Sequence, residues 1–238
     1  MASESDANDG RVVASGNERG YGSHQLSLPG DVIVDKEHDS LIICDCENNR
    51  VVQSPRRSGP SEVIISNISC WGLTMNESGS LYVVDVKKHE VRKYRREVRS
   101  GTIISRGYRY SFYPFSDSPS YVFVDQGTAV AGGNGIGNRL DQLNHPSYVF
   151  VDQNHSVYVS DTKNHRVMKW EEGAKHGIVV AGGQGQGNNL TQLSEPQGIV
   201  VDQLGTIYVA DYYNSRIMRW PKGATQGSVI VGGSGPNE

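Results

Sequence analysis

One repeat limits what this chain can fold into. Residues 177–220 read GIVVAGGQGQGNNLTQLSEPQGIVVDQLGTIYVADYYNSRIMRW, and residues 127–170 are the same text displaced by 50 positions. The spacing inside the unit is kept as well: Asp152 to Asp161 and Asp202 to Asp211 are both nine apart. Upstream, DVIVDKEHDSLIICDCENNRVV (31–52) and WGLTMNESGSLYVVDVKKHEVRKY (71–94) follow the plan more loosely. A unit of this length is one supersecondary element that buries its faces against its neighbours, so a repeat architecture follows.

Each unit reads as four strands. GIVVD (198–202) is a short apolar run closed by a turn at Asp202–Gly205, and TIYVAD (206–211) is closed by Asp211–Asn214. RIMRW (216–220) alternates with period two, and SVIVGG (228–233) follows the linker PKGATQG. Asp and Asn suit the turns because their side chains bond nearby backbone groups. Four antiparallel strands in each repeat predict an all-β chain, a β-propeller of four-stranded antiparallel blades.

The unit P-x-G-I-x-V-D-x-x-G-x-I-Y-V-A-D-x-x-N-x-R-I-x-x-W, with Asn164-His165-Arg166-Val167 in the second turn, resembles the NHL repeat. The resemblance implies a propeller, usually six-bladed, that most often serves as a docking surface for proteins or RNA. In that family such propellers are the substrate-recruiting end of some RING-type ubiquitin ligases. Other members are enzymes, so the fold alone does not decide function.

The ring is expected to be incomplete. The end of the first strand recurs at Asp35, Asn76, Asp125, Asp152 and Asp202, and the step from 125 to 152 is 23 residues shorter than the next one. At Gln126-Gly127 the text jumps from the match of Gln153 to the match of Gly177. The expected organisation is a disordered segment at 1–10 and a propeller over 11–238. Its blades would be 30–67, 70–105, 146–183 and 196–233, with a two-strand remnant at 119–133 and an orphan strand ahead of residue 29. Such a chain looks like a fragment, a gene-model error or an exon-skipped form. The second unit also departs from the plan: Lys88 and Glu90 replace the turn Asn and the following Arg, and Tyr94 replaces Trp.

Composition removes several function classes. The net charge is −3, which selects neither nucleic acid nor membrane, and no stretch approaches the ~18 apolar residues of a membrane span. The start MASESDANDG is acidic and polar, unlike a secretory or transit signal. Cys44, Cys46 and Cys70 have no framework spacing and read as reduced thiols. A cytoplasmic location is therefore expected, and three cysteines cannot build a RING. The 28 glycines concentrate in AGGNGIGN (131–138), AGGQGQGN (181–188) and ASGNERGYG (14–22). A phosphate loop needs a following helix amino terminus, and here another strand follows, so these segments read as blade-to-blade crossovers. Leu26, Leu143 and Leu193 would plug the space between blades.

No metal, cofactor or catalytic residue is assigned. The amidating-lyase relatives of the family place zinc-binding histidines just after the Pro of the first strand, where this chain has Gly30, Trp71, Ser120, Ser147 and Gln197. His165 is expected exposed in its turn. Gluconolactonase-like relatives need an inward Glu/Asn/Asp cluster, which the sequence does not assemble. Asp45, Asp85, Asp161 and Asp211 are expected to close turns rather than bind metal. The one electrostatic anomaly is the run Lys87, Lys88, Arg92, Lys93, Arg95, Arg96, Arg99, Arg106 and Arg109, with Tyr94, Tyr108, Tyr110, Phe112 and Tyr113 among or beside it. Cations that neutralise phosphate beside aromatics that stack on bases suit single-stranded RNA; equally, such a run is a solvated strand and loop. The expectation is a chain that is not an enzyme and presents a scaffold face to a protein partner. RNA binding is the alternative, and a propeller lyase or hydrolase the third reading. Oligomeric state is not set by the sequence.

Overall fold

The computed structural model describes residues 18–56, 60–98, 121–123 and 127–233, together with Val12 and Ala14. The first sheet is β1 (Pro29–Asp35), β2 (Ser40–Asp45), β3 (Arg50–Pro55) and β4 (Glu62–Ser66), in the order β1-β2-β3-β4. The second begins with β5 (Cys70–Met75), β6 (Leu81–Asp85) and β7 (Glu90–Tyr94), and a separate two-stranded ribbon pairs β8 (Arg96–Val98) with β9 (Tyr121–Phe123). β10 (Thr128–Gly132) then pairs antiparallel with β7 and completes the second sheet. The third sheet is β11 (Pro146–Val151), β12 (Val157–Asp161), β13 (Arg166–Trp170) and β14 (Ile178–Gly182). The fourth is β15 (Pro196–Val201), β16 (Ile207–Asp211), β17 (Arg216–Trp220) and β18 (Ser228–Gly232).

The chain is all-β, and its four antiparallel sheets are propeller blades. The inner strands touch in the order β1, β5, β11, β15, and the blades form an arc that does not close into a ring. Each inner strand carries a register shift at the same place, between Pro29 and Val32, Cys70 and Leu73, Pro146 and Val149, and Pro196 and Ile199. A bulge there bends the strand and adds twist, which suits a blade rooted near a common axis.

The second blade differs from its sequence reading. The expected fourth strand near 101–105 lies outside the described residues, and Thr128–Gly132 from the supposed remnant takes the outer position. Its register on β7 (Thr128 opposite Lys93, Gly132 opposite Glu90) matches that of β14 on β13 (Ile178 opposite Lys169, Gly182 opposite Arg166). The reason is local. Gly177 and Gly227 lie flat on the rings of Trp170 and Trp220, where a Cβ would stand 2.7 Å from ring carbon, and Gly127 lies on Tyr94 in the same way. The Gly127 segment therefore docks on whichever aromatic ends a third strand. The remnant is thus no separate half-blade: its first strand pairs with Arg96–Val98 and its last closes the second blade. Residues 1–10 and most of the expected orphan strand lie outside the described residues.

The core runs between blades rather than through them. Ile42, Val51, Ile68, Leu73 and Val83 fill the first junction. Tyr82, Val91, Leu143, Val159 and Trp170 fill the second, and Val167, Leu193, Val209, Met218 and Trp220 the third. Leu143 and Leu193 are fully buried crossover plugs, as expected. At the first junction the crossover is only three residues long and Ile68 is its buried apolar residue.

Candidate functional site

Three blades share one polar construction where their second hairpin turns. Asp211 ends β16 and is fully buried. Its Oδ2 accepts hydrogen bonds from Asn214 Nδ2 (2.8 Å) and Arg216 Nε (2.7 Å), and its Oδ1 accepts one from the Ser194 amide (2.6 Å). Arg216 gives its remaining donors to the carbonyls of Asn188 (2.7 Å), Asn189 (3.2 Å) and Gln192 (3.2 Å) in the glycine-rich crossover. Asp161, Asn164 and Arg166 repeat this with the crossover carbonyls of Asn138, Arg139 and Gln142. Asp45, Asn48 and Arg50 do so with those of Tyr21, Gly22 and Gln25. A buried carboxylate is tolerable here because a guanidinium and two further donors surround it. Burial pushes the Asp161 carboxyl up, while the bonds from Asn164, Asn144 and Arg166 act the other way. These aspartates clamp crossovers to blades.

The second blade lacks both halves of the clamp. Lys88 Nζ stands 3.8 Å from Asp85, and Glu90 accepts a 2.6 Å bond from Arg92. No glycine-rich crossover precedes this blade: only residues 67–69 separate β4 from β5. The arginine and the loop that it would hold are absent together.

This blade also carries the described part of the basic run. Lys87 and Lys88 are exposed at the hairpin turn, and Lys87 Nζ donates to Asn49 Oδ1 (3.3 Å). Arg92 is paired with Glu90 and also donates to the Gly127 carbonyl. Lys93 lies 3.7 Å from Glu172 and over the Tyr82 ring. Arg95 is exposed, whereas Arg96 is drawn into the first junction against Asp35 (2.6 Å) and Glu37 (2.8 Å). Arg99, Arg106, Tyr108, Arg109 and Tyr110 lie outside the described residues. The described cations thus do not form one free strip, because they point to different ends of the blade and most face a carboxylate.

Arg96 also fills a grouping that the sequence did not reveal. Donor atoms of Asp35, Glu37 and His38 lie within 4.8 Å of one another, the usual ingredients of a cation site. The guanidinium of Arg96 already supplies the positive charge there, with His38 Nδ1 at 3.2 Å. The motif was hidden because Arg96 is about 60 residues away in the chain.

Two histidines latch blade to blade. His165 Nδ1 accepts the Glu195 amide (3.1 Å) and His89 Nδ1 accepts the His145 amide (3.1 Å). His165 is therefore half-buried and engaged, not exposed as expected from its turn. Both sit at positive φ (53°). The same end of the arc carries aromatics: Trp71 at the start of β5, and Tyr212 and Tyr213 in the turn after β16. Between the second and third blades runs a groove of about 860 Å³ whose walls include Arg95, Asn134, His155, Trp170, Glu172 and His176.

Comparison with known proteins identifies the unit. The NHL repeat model matches residues 193–219. The chain carries an NHL repeat. That match spans the Ser194 amide, the Asp211 carboxylate and the Arg216 guanidinium of the fourth blade. No curated protein matches the chain. Among solved structures, a gluconolactonase from Xanthomonas campestris superposes with a TM-score of 0.60 at 14 % identity, covering 87 % of this chain and 62 % of that one. A chain of a nidogen/laminin complex gives 0.59 at 12 % identity over 86 % and 64 %. An auxiliary nutrient binding protein from Bacteroides thetaiotaomicron gives 0.58 at 14 % identity over 79 % and 46 %. The chain thus spans less than two thirds of the length of each.

These neighbours correct one expectation. The sequence leads to the expectation of a chain that is not an enzyme, yet one of the structures it superposes on is a gluconolactonase and another a nutrient binding protein, so the fold is shared with an enzyme as well as with a binding protein. At such identity the likeness is one of fold. Among the described residues, no helix is long and apolar enough to cross a membrane.

Proposed function

We propose that the chain acts through a protein partner docked on the end of the NHL arc that carries the second hairpin turns and the crossovers. The observation behind this reading is the exposure of three large aromatics there: Trp71 at 45 %, Tyr212 at 62 % and Tyr213 at 63 %. Trp and Tyr supply large contact area at low entropic cost and dominate binding hot spots, so leaving three in water at one end suits a docking face. Lys87, Lys88 and Lys163 are also exposed in the equivalent turns of the second and third blades. The nidogen/laminin complex, in which a similar propeller meets a protein, supports the reading. Recruitment for a RING-type ligase is its finer form and needs the catalytic RING on another chain. Reduced thiols fit a cytoplasmic setting for such a module.

The test is cross-linking of the chain to captured partners, compared with a Trp71→Ser/Tyr212→Ser/Tyr213→Ser variant. Cross-links that map to the turns at 86–89, 162–164 and 212–214, and at least tenfold weaker capture by the variant, are expected. Unchanged capture overturns the assignment. A low-salt shift of single-stranded RNA, abolished by Lys87→Ala and Lys88→Ala, would instead assign this end to nucleic acid.

A further inference from the structure

Each blade has a leading face, toward the blade before it, and a trailing face, toward the blade after it. A junction joins the trailing face of one blade to the leading face of the next, and the chain makes three such joints. Because the arc does not close, two faces have no blade against them: the leading face of the first blade and the trailing face of the fourth.

Both free faces are apolar at the positions that a junction buries. Val32 of β1 stands where Leu73, Val149 and Ile199 stand in the other blades. Those three are 8 % exposed or less, whereas Val32 is 53 % exposed and Val34, next on that face, is exposed as well. Val231 of β18 stands where Ile65, Ala131 and Ala181 stand. Those three are buried, whereas Val231 is 61 % exposed, and Val200 on the same face is exposed too. A repeat array in water ordinarily ends in repeats whose outer face is polar. Here both ends carry the apolar face of an interior repeat, and exposed apolar surface of that kind marks an association site.

Each face also carries a fitting for the other. The first blade has its crossover in place: Arg50 clamps it, and Leu26 occupies the position of the plugs Leu143 and Leu193. Those plugs are fully buried between two blades, while Leu26, with a blade on one side, is half-buried. On the fourth blade, Gly198 stands where Gly72 stands in the second. A Cβ on Gly72 would collide with the Ser147 carbonyl in the first strand of the next blade, whereas a Cβ on Gly198 would meet nothing within 4 Å. The close approach that glycine permits is used by the second blade and unused by the fourth. The rim shows a matched change. Across the third junction, Lys163 Nζ donates to Glu195 Oε1 (2.6 Å). The corresponding pair between the fourth blade and the first is Tyr213 and Leu28, both exposed. Leu28 shares the backbone of Glu195 (φ 47° against 49°) and likewise precedes the proline that opens its blade. Both members have lost their charge together, on the two faces that the chain leaves free.

We propose that a second copy of this chain docks head to tail, the trailing face of its fourth blade covering the leading face of the first blade of its neighbour. The contact is heterologous, and it continues into a ring or an open row according to the rotation at each joint. Its centre is Val200 and Val231 against Val32 and Val34, with Leu26 plugged between them and Tyr213 over Leu28 at the rim. Part of the Tyr213 ring stays in water there, as 47 % of the Lys163 side chain does in the matching pair. The inference concerns the flanks of the arc and goes beyond a partner docked on its turn-bearing end.

Light scattering on the full chain as it elutes from a sizing column tests this. The wild type is expected above the 26.0 kDa of one chain, at a mass that rises with concentration. Val32→Lys with Val34→Lys blocks the leading face alone, and Val200→Glu with Val231→Glu the trailing face alone. Either double variant by itself should run as a monomer. An equimolar mixture keeps one good joint, the intact trailing face of the first variant on the intact leading face of the second. It should run as a 1:1 pair at twice the mass of one chain. Should a variant fail to fold, amide exchange on the wild type decides. Between about 1 and 100 μM, β1 and β18 must gain at least tenfold protection while the interior strand β12 does not change. A wild type that stays monomeric to about 100 μM, protection that ignores concentration, a double variant that still dimerises alone, or a mixture that does not pair overturns the proposal.

Discussion

The second and third blades pack against each other and are built from the same plan, yet they hold themselves together differently. In the third, Asp161 accepts from Asn164 and Arg166, and Arg166 grips three carbonyls of the preceding crossover. In the second, Asp85 faces Lys88 at 3.8 Å, Glu90 faces Arg92, and the crossover shrinks to residues 67–69. The comparison teaches that the Asn and Arg of the repeat serve the loop rather than the blade. Remove the loop and the clamp is dispensable: the second blade keeps its hairpins and its register without it.

The sharpest way to break this comparison is to delete the same carboxylate in both blades. Asp161→Ala strands a buried Arg166 without its counter-charge and frees the crossover, so about 3–5 kcal/mol of stability should be lost. Asp85→Ala leaves no buried guanidinium behind and should cost about 1 kcal/mol. Urea unfolding of the two variants measures both. Equal losses would show that the aspartate acts within its own hairpin and that the clamp reading is wrong.

A second variant sharpens the point by restoring the signature where its loop is missing. Lys88→Asn with Glu90→Arg rebuilds the Asp–Asn–Arg triplet in the second blade. The new guanidinium would lose the Glu90–Arg92 pair (2.6 Å) and meet no crossover carbonyls. A net loss of about 1–3 kcal/mol is expected in the same unfolding assay. A stabilised double variant would mean that the triplet is self-sufficient.

The same two blades show how far the sequence could be read. The third blade was legible strand by strand, because every signal in it is local: period-two apolar runs, Asp turns, and a glycine that lies on Trp170. The second was legible only as far as Tyr94. Its outer strand comes from Thr128–Gly132, a pairing that spans more than 30 residues, and no local propensity reports which aromatic end the Gly127 segment will cover. A signal did exist, since Gly127 matches Gly177 and Gly227. In sequence it marks a separate blade, but with the partner strands missing it is free to dock on Tyr94. The ion pairs of the described basic residues are hidden from the sequence for a similar reason. Glu172 and Asp35, which face Lys93 and Arg96, are distant in sequence and brought in by neighbouring blades. Likewise, Cys46 packs against the buried cluster that holds Cys44 and Cys70 only because two blades abut there.

The smallest expected effect concerns the latch between these two blades. His89 Nδ1 accepts the His145 amide, which only a neutral imidazole can do, and the two rings stand edge-on at 5.0 Å. Burial, and next the charge of His145, lower the His89 pKa below the ordinary 6.5, while Asp161 and Asp85 oppose the shift. The unfolded chain therefore binds this proton more readily than the folded one. The latch contributes fully above about pH 6.5 and is lost as pH falls through the lower folded value. His89→Asn keeps a residue that tolerates the φ of 53°, as Asn49 does at the matching turn of the first blade with 51°. The variant has nothing to protonate. Melting temperature followed from pH 7.5 to 5.5 should fall more for the wild type than for the variant, by no more than about 2 °C because the ring is largely solvated. If the two curves stay parallel, the hydrogen bond does not couple these blades, and the apolar junction around Leu143 and Trp170 joins them without it.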